Sequence, residues 1–381
     1  MDIKPIKNHS VPVRLIDTEA GLREVAANLL QVKEFAFDTE FNRFRWEYGF
    51  NLYLLQIYDG KECYLIDPIR LKDLSVLWPA FEHPGILKIL YSGKEDIDLM
   101  KRYGCFPSPV FDVQAASRIC NHPAVSFSKL VLAEFGIELD KSEQTSNWKI
   151  RPLSLSQQLY ASNDVIHLTG LKEIFLKEVD RIGMNHILDE ENRVCAESTT
   201  SDFVPKLSSK QRAAFSEHHQ EMLLKLILIR DEKGQQLNVP PFKVVGDEVL
   251  EEVIKDPATF LRQPFAKGFS RRALESQEFC RQILAVAREV RTDIDWASVW
   301  VARSEEAIAE SKRERNALEN LFKPIKEQVV KTYGQVAGDF YMVGVRDVII
   351  SKSVDLSLLK TYQKKMVEEA VAVLGIRLPL V

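Results

Sequence analysis

The chain has 381 residues, of which 45% are hydrophobic and 28% are charged, and its formal net charge at pH 7 is -4. This length exceeds what one hydrophobic core usually organises, so we expect two or three domains with ordinary globular composition. No apolar stretch approaches the roughly 18 residues of a membrane span, and the polar start MDIKPIKNHS lacks the apolar region of a signal peptide, so we expect a cytoplasmic protein without a membrane partner.

The first half of the chain alternates strand-like and helix-like segments. EFAFDTEF, LYLLQIY and CYLIDP are short, rich in Phe, Leu, Ile and Tyr, and separated by turn residues, which predicts a meander of three strands. LKDLSVLWPAFEHP predicts a helix and ILKILYS a further strand, and EDIDLMKRYG, DVQAASRIC and SFSKLVLAEFG show helical spacing. We therefore predict an α/β domain over residues 1–195, with a mixed sheet flanked by helices.

The second half is predominantly helical in its pattern. AESTTSDFVPKLSSK is rich in Ser and Thr, which predicts a linker over residues 196–208. Helical patterns dominate beyond it, and DFYMVGVRDVII is the first segment that has a convincing strand pattern. A loosely similar order of helical segments begins at QEMLLKLILIRDEKGQQ and again at NLFKPIKEQVVKTYG. We therefore predict two all-α domains, over residues 209–295 and 296–381.

Two acids follow the apolar run Phe35-Ala36-Phe37. Side chains alternate along a strand, so Asp38 and Glu40 project from the same face about 7 Å apart, with Thr39 on the other face. An exposed strand end is the ordinary explanation for such a pair. In a central strand, however, two carboxylates repel each other unless cations hold them, which points to a metal site.

A second candidate is Asp96, in the segment YSGKEDIDLM that ends a strand and opens a helix. Asp96 borders the packed face of that helix, whereas Asp98 neighbours Lys101 and Arg102 on the side predicted to face water. Taken alone, Asp96 is equally explained as an acid that the helix macrodipole favours at its N-terminus.

A third candidate pair lies in QLYASNDVIHL, where Tyr160 and Asp164 are four residues apart and share a helix face. The alternative is a packed tyrosine beside an exposed acid. Asp112, in VFDVQAA, stands where a helix N-cap belongs. His167 has no second histidine at ligand spacing, so we expect it to pack or to face water.

In combination and in order, these motifs resemble the RNase D family of the DEDD exonuclease superfamily. The resemblance rests on FDTEF with LYLLQIYDG and YLIDP, on GKEDIDLM with FPSPVFDVQAA, on YASNDVIHL, and on the connecting stretch LDKSEQTSNWKIRPLSLSQQLYASND. LLKLILIRDEKGQQLNVPPFKVVGDEVLEEVIKDP is similar to HRDC domains, and the last part of the chain resembles a second copy less clearly. Tyr91, Val113 and Asn147 depart from common family residues without removing an acid.

The resemblance implies a ribonuclease-H-like exonuclease fold followed by HRDC-like helical domains. It implies that Asp38, Glu40, Asp96 and Asp164 bind two divalent metal ions, Mg²⁺ or Mn²⁺, and that Tyr160 marks the tyrosine subclass.

The implied activity is 3′→5′ removal of nucleoside 5′-monophosphates from RNA 3′ ends, in tRNA precursor maturation or RNA turnover. The alternatives are a DNA exonuclease of the helicase-associated type and a non-catalytic RNA-binding module. Residues that grip RNA are not evident, because Phe44, Trp46 and Trp148 are as consistent with core packing as with base stacking.

Overall fold

A mixed six-stranded sheet organises the first half of the computed structural model, which describes residues 11–198, 205–290, 305–350 and 354–378. The strands are β1 (Val13–Ile16), β2 (Glu34–Arg43), β3 (Phe50–Tyr58), β4 (Cys63–Ile66), β5 (Leu87–Leu90) and β6 (Val110–Asp112), in the order β1-β4-β3-β2-β5-β6. Strand β1 pairs in parallel with β4, and β5 pairs in parallel with β2 and β6, whereas β3 and β4 are antiparallel. The predicted meander β2-β3-β4 and the mixed sheet are confirmed.

Eight helices accompany the described strands in this part of the chain. They are α1 (Glu19–Leu29), α2 (Trp78–Phe81), α3 (Lys94–Arg102), α4 (Val113–Ile119), α5 (Phe127–Phe135), α6 (Leu155–Ile166), α7 (Leu168–Arg181) and α8 (Asn185–Glu197). The segments predicted as helices from residue 95 onward become α3, α4 and α5. The helix predicted around Pro79 is only a 3₁₀ turn followed by α2, because proline is tolerated in the first turn of a helix and disrupts its interior.

Strand β2 is the central support of the sheet. Phe35, Ala36 and Phe37 are fully buried. The rings of Phe35 and Phe37 meet the Phe81 ring edge-to-face, with centroid distances of 4.9 and 5.2 Å. Such aromatic pairs add to the free energy of area burial, so the residues just before Asp38 form a rigid base.

A second compact unit comprises Phe41–Asn51 and the described part of residues 200–305. Its helices are α9 (Ser209–Ala214), α10 (Glu217–Leu237), α11 (Pro241–Val244), α12 (Asp247–Lys255), α13 (Pro257–Arg262), α14 (Arg271–Leu274) and α15 (Gln277–Glu289). They surround a core that includes Leu223, Leu226, Ile254 and Phe279. No helix of the described residues combines the length and apolar character needed to cross a membrane.

The last helices belong to the first compact unit. They are α16 (Glu305–Tyr333), α17 (Gln335–Tyr341), α18 (Val345–Ile349) and α19 (Thr361–Leu374), and the unit contains the described parts of residues 1–40, 52–199 and 306–381. The strand pattern predicted for DFYMVGVRDVII is wrong, because this segment forms α17 and α18. Within this unit, Phe322, Ile325 and Val367 share one core with residues of the α/β part.

Polar contacts fasten these helices within the first unit. The Asn121 side-chain oxygen accepts hydrogen bonds from the backbone N–H groups of Val336 and Ala337, at 2.9 and 3.1 Å. The Glu191 carboxylate accepts hydrogen bonds from the Lys360 ammonium and the Tyr362 hydroxyl, at 2.6 and 2.5 Å. Residues 199–204 of the predicted linker and the predicted boundary at residue 295 lie outside the described residues.

Candidate metal centre

Three of the predicted acids converge. Asp38 and Glu40 lie on β2, Asp164 lies on α6, and one carboxylate oxygen of each is within 4.8 Å of the other two. All three side chains are half-buried. Asp38 and Glu40 are therefore not explained as two acids at an exposed strand end, because a third acid from a distant part of the chain lies beside them.

Asp96 lies beside this group, in the first turn of α3, and its exposure is 7%. The Thr39 hydroxyl donates a hydrogen bond to its carboxylate. The negative charge of Asp96 also contributes to raising the pKa of Asp38, which places the two carboxylates near each other. Asp96 is thus a bonded acid at the edge of the cluster, although its oxygens are not among the three that meet within 4.8 Å.

Thr39 is the residue that sequence reasoning missed. Its position on the opposite face of β2 suggested no role toward the acids, yet its buried side chain bonds Asp96. A donor of this kind orients a metal-binding carboxylate and holds it in one geometry. In the sequence, Thr39 stands between the acids Asp38 and Glu40, but this position does not show which residue its hydroxyl group bonds.

Asp98 corrects a further prediction. It is 6% exposed instead of facing water, and the Ser198 hydroxyl donates a hydrogen bond to its carboxylate at 3.0 Å. The Lys101 ammonium donates to the Ser198 carbonyl at 2.5 Å. The chain just after α8 therefore covers the face of α3 that the charge pattern assigned to water.

Burial raises the pKa of every acid in the cluster, and repulsion by the other carboxylates of the cluster adds to this for Asp38, Glu40 and Asp164. The pKa values of Asp38 and Glu40 are well above the ordinary range, first because burial penalises the charged form and then because neighbouring carboxylates repel it. Burial is also the main cause that raises the pKa of Asp96 to about 6 and that of Asp164 to about 7. These carboxylates need positive charge close by if they are to ionise together.

The donor set fits divalent cations that prefer oxygen. Converging carboxylates are the ligands that Mg²⁺ and Mn²⁺ favour, and a bound cation offsets the repulsion that raises these pKa values. The described residues therefore offer Asp38, Glu40 and Asp164 as direct ligands, with Asp96 at the same centre.

Tyr160 lies at the edge of the cluster. Its hydroxyl donates a hydrogen bond to Asp164, and burial followed by the charge of Asp164 raises its pKa further above the ordinary tyrosine value. The hydroxyl is therefore protonated at neutral pH and acts as a donor. A cavity of about 690 Å³ begins beside it, and Asn163 and His167 of the same helix region contribute to its lining.

The turn before α3 is held by a buried acid. Asp112 accepts hydrogen bonds from the backbone N–H groups of Ser92, Gly93 and Gln114, at 2.9, 3.3 and 2.8 Å. The N-cap role predicted for Asp112 is confirmed, and the same carboxylate also joins β6 to the β5-α3 turn. A Cβ atom at Gly93 would come within 2.5 Å of the Leu90 side chain, so a larger residue would force Leu90 to shift where the chain turns toward Asp96.

The stretch before α6 is anchored by Arg151. Its guanidinium contacts both oxygens of Asp67, at 2.7 and 3.0 Å, and donates to the Tyr53 and Trp148 carbonyls at 2.6 Å each. Trp148 is buried, with its ring centroid 5.9 Å from that of Tyr160. Trp148 therefore packs behind the site instead of offering a face to a base.

Comparison with known proteins agrees with this geometry. Residues 13–180 match a family model described as 3'-5' exonuclease. The chain is 39% identical over 182 residues to ribonuclease D of a Shewanella species, covering 46% of either protein. It is 28% identical over 262 residues to ribonuclease D of Serratia proteamaculans, covering 68% of this chain and 70% of the relative.

The chain thus spans about half the length of the first of these curated relatives. Its fold is similar to the crystal structure of Escherichia coli RNase D, described as an exoribonuclease involved in structured RNA processing. The TM-score is 0.74 and the sequence identity 22%, over 96% of this chain and 98% of the other.

The sheet, the helices and the converging acids define a 3′-5′ exonuclease domain of the DEDD type. The acids of the cluster follow in chain order, with Asp38 and Glu40 on β2, Asp96 on α3 after β5, and Asp164 on α6. Within that class, the chain is similar to curated proteins named ribonuclease D.

Proposed function

We propose that the protein is a 3′→5′ exoribonuclease that removes nucleoside 5′-monophosphates from RNA 3′ ends. The observation that carries this proposal is the convergence of Asp38, Glu40 and Asp164 beside Asp96, with the Tyr160 hydroxyl at the edge of the cluster. Family relatives named ribonuclease D support RNA as the substrate. Precursors of tRNA are the proposed RNAs, and the cytoplasm is the proposed location.

Hydrolysis of a phosphodiester needs an activated water and stabilisation of the departing 3′ oxygen. Two divalent ions, Mg²⁺ or Mn²⁺, held by Asp38, Glu40, Asp96 and Asp164 supply the positive charge for both tasks when bound. Thr39 holds the Asp96 carboxylate in place. Because Tyr160 keeps its proton, its proposed role is to orient the attacking water by a hydrogen bond and not to remove a proton.

The domain organisation is part of the proposal. We propose that residues 1–195 contain the exonuclease and that residues 209–295 form an HRDC-like helical domain. Residues 296–381 are proposed to form a second, divergent HRDC-like helical domain. The helical core of the second compact unit supports the assignment of residues 209–295.

A 5′-labelled RNA with a stem and a single-stranded 3′ tail tests the activity. With Mn²⁺ we expect a ladder of products that shorten from the 3′ end and stop at the stem, and with EDTA we expect intact RNA. The Asp38→Asn and Asp96→Asn variants should lose digestion. The Asp98→Asn variant is the matched control, because Asp98 lies on the same helix as Asp96 and is buried, but bonds Ser198 instead.

Digestion of a DNA strand of the same sequence distinguishes a DNA exonuclease from the proposed exoribonuclease. Preference for RNA is expected, since the 2′-hydroxyl is the group that distinguishes the two substrates. Faster digestion of DNA would replace the proposal with a DNA exonuclease. Binding of RNA without any metal-dependent digestion would replace it with a non-catalytic module.

A further inference from the structure

The segment Phe41–Asn51, which follows the acidic motif, has a fixed conformation within the second compact unit. Asn42 is 1% exposed, and its side-chain oxygen accepts hydrogen bonds from the backbone N–H groups of Arg45 and Trp46, at 3.0 and 2.7 Å. Its amide nitrogen donates to the Glu47 carbonyl at 3.1 Å. One buried side chain therefore holds three backbone groups of the loop, so the loop presents its outer side chains in one arrangement.

Two cations, one from this loop and one from α11, lie against one exposed aromatic ring of the loop. The Arg45 guanidinium carbon is 4.9 Å and the Lys243 ammonium is 5.9 Å from the centroid of the Trp46 ring. Trp46 is 39% exposed, and Phe242, the neighbour of Lys243 on α11, is 57% exposed. We call the four residues Arg45, Trp46, Phe242 and Lys243 the aromatic-basic surface.

Nearby acids are bonded to other groups of the same unit. The Tyr48 hydroxyl donates to the Asp231 carboxylate at 2.7 Å, and the Asn238 amide donates to the Glu47 carboxylate at 3.3 Å. Within the part of the chain that the structure describes, no carboxylate forms a salt bridge with Arg45 or Lys243. The positive charge of the aromatic-basic surface is therefore available to an external anion.

We infer that the aromatic-basic surface binds single-stranded RNA. Large exposed rings stack on bases of any sequence, and adjacent cations neutralise the phosphates that connect those bases. Trp46 and Phe242 supply the rings, and Arg45 and Lys243 supply the cations. The choice of RNA as the polyanion rests on the proposed exoribonuclease function, whereas an acidic protein partner offers charge without stacked bases.

Fluorescence anisotropy of a labelled oligouridylate, titrated with the full-length protein in EDTA, tests the inference. Trp46→Ala should weaken binding about tenfold, the range expected for losing one stacked base, and Trp46→Phe should retain most of the affinity. Arg45→Ala combined with Lys243→Ala should lower the slope of log affinity against log salt by about 1.4, since each phosphate contact to a single strand contributes about 0.7.

The control is the double variant Arg271→Ala with Arg272→Ala. It removes the same charge from another exposed helix of the same unit, so the affinity should change little. Wild-type affinity in Trp46→Ala, or an equal loss in the control, would overturn the inference. So would displacement of the RNA by polyglutamate at matched charge, which would show a surface for acidic proteins.

The two proposals fail in different ways. Binding is measured in EDTA and does not require turnover, so a wild-type protein that binds RNA through Trp46 but never digests it would refute only the exoribonuclease proposal. Metal-dependent digestion with unchanged RNA affinity in the Trp46→Ala variant would refute only the role of the aromatic-basic surface.

Discussion

Replacing Asp164 by asparagine should make the metal-free protein more stable at alkaline pH. The pKa of Asp164 rises from an ordinary value of 3.8 to about 7, chiefly because the carboxyl group is buried. At about 1.4 kcal/mol per pKa unit, this shift corresponds to about 4 kcal/mol of destabilisation once the group ionises. We expect asparagine to recover about 2–4 kcal/mol, since its amide accepts the Tyr160 hydrogen bond without a charge but is itself a buried polar group.

The pH window follows from the direction of the shift. Below pH 4, Asp164 holds its proton in both the folded and the unfolded chain, so it does not affect stability. Between pH 4 and pH 7, the unfolded chain releases the proton while the folded chain keeps it, and the free energy of unfolding falls as pH rises. The full penalty is present above pH 7. The advantage of Asp164→Asn should therefore grow from pH 4 to pH 8.

Urea unfolding in EDTA at pH 4 and pH 8 measures this difference, with Asp98→Asn as the control for a buried acid outside the cluster. Adding Mn²⁺ at pH 8 should stabilise the wild-type protein by mass action and stabilise the Asp164→Asn variant much less. An advantage that is equal at both pH values, or a variant that is less stable than wild type at pH 8, would show that repulsion and burial do not dominate this site.

Three other substitutions test the support of the site. Thr39→Val should slow metal-dependent digestion about tenfold or more, because Asp96 loses the hydroxyl that orients it, and Thr39→Ser should restore the initial rate. Asp112→Ala should lower the free energy of unfolding by about 2–4 kcal/mol, because several buried backbone N–H groups lose their acceptor, and an unchanged urea midpoint would contradict this. Arg151→Met should lower the free energy of unfolding, measured by thermal unfolding, by about 3–5 kcal/mol, because Asp67 stays buried without its partner. Adding Asp67→Leu should recover part of this loss.

Local periodicity was sufficient for most of the first half. Alternation along β2 puts Asp38 and Glu40 on one face of the strand. The four-residue spacing on α6 puts Tyr160 and Asp164 on one face of that helix. Both relations depend only on the geometry of a strand or a helix, so they survive whatever packs around them. The N-cap role of Asp112 is equally local, since it involves the next turn of the same helix.

Predictions failed where packing overrides local pattern. Charge spacing placed Asp98 in water, but the residue after α8 covers it and bonds it. The apolar run at residues 339–350 has a strand-like composition, yet it forms α17 and α18 against the core of the first unit. In both segments the outcome depends on burial against elements that are distant in sequence, and a local sequence pattern does not contain that information.

The sequence by itself determined which acids share a face and which segments of the first half become strand or helix in most cases, because these properties repeat with the period of the backbone. Only the tertiary structure decided that the Asp164 face of α6 meets Asp38 and Glu40, that Thr39 bonds Asp96, and that Trp148 is packed away while Trp46 is exposed. The physical reason is that contacts between distant elements follow from how their apolar faces fill one core, and that depends on all the side chains together.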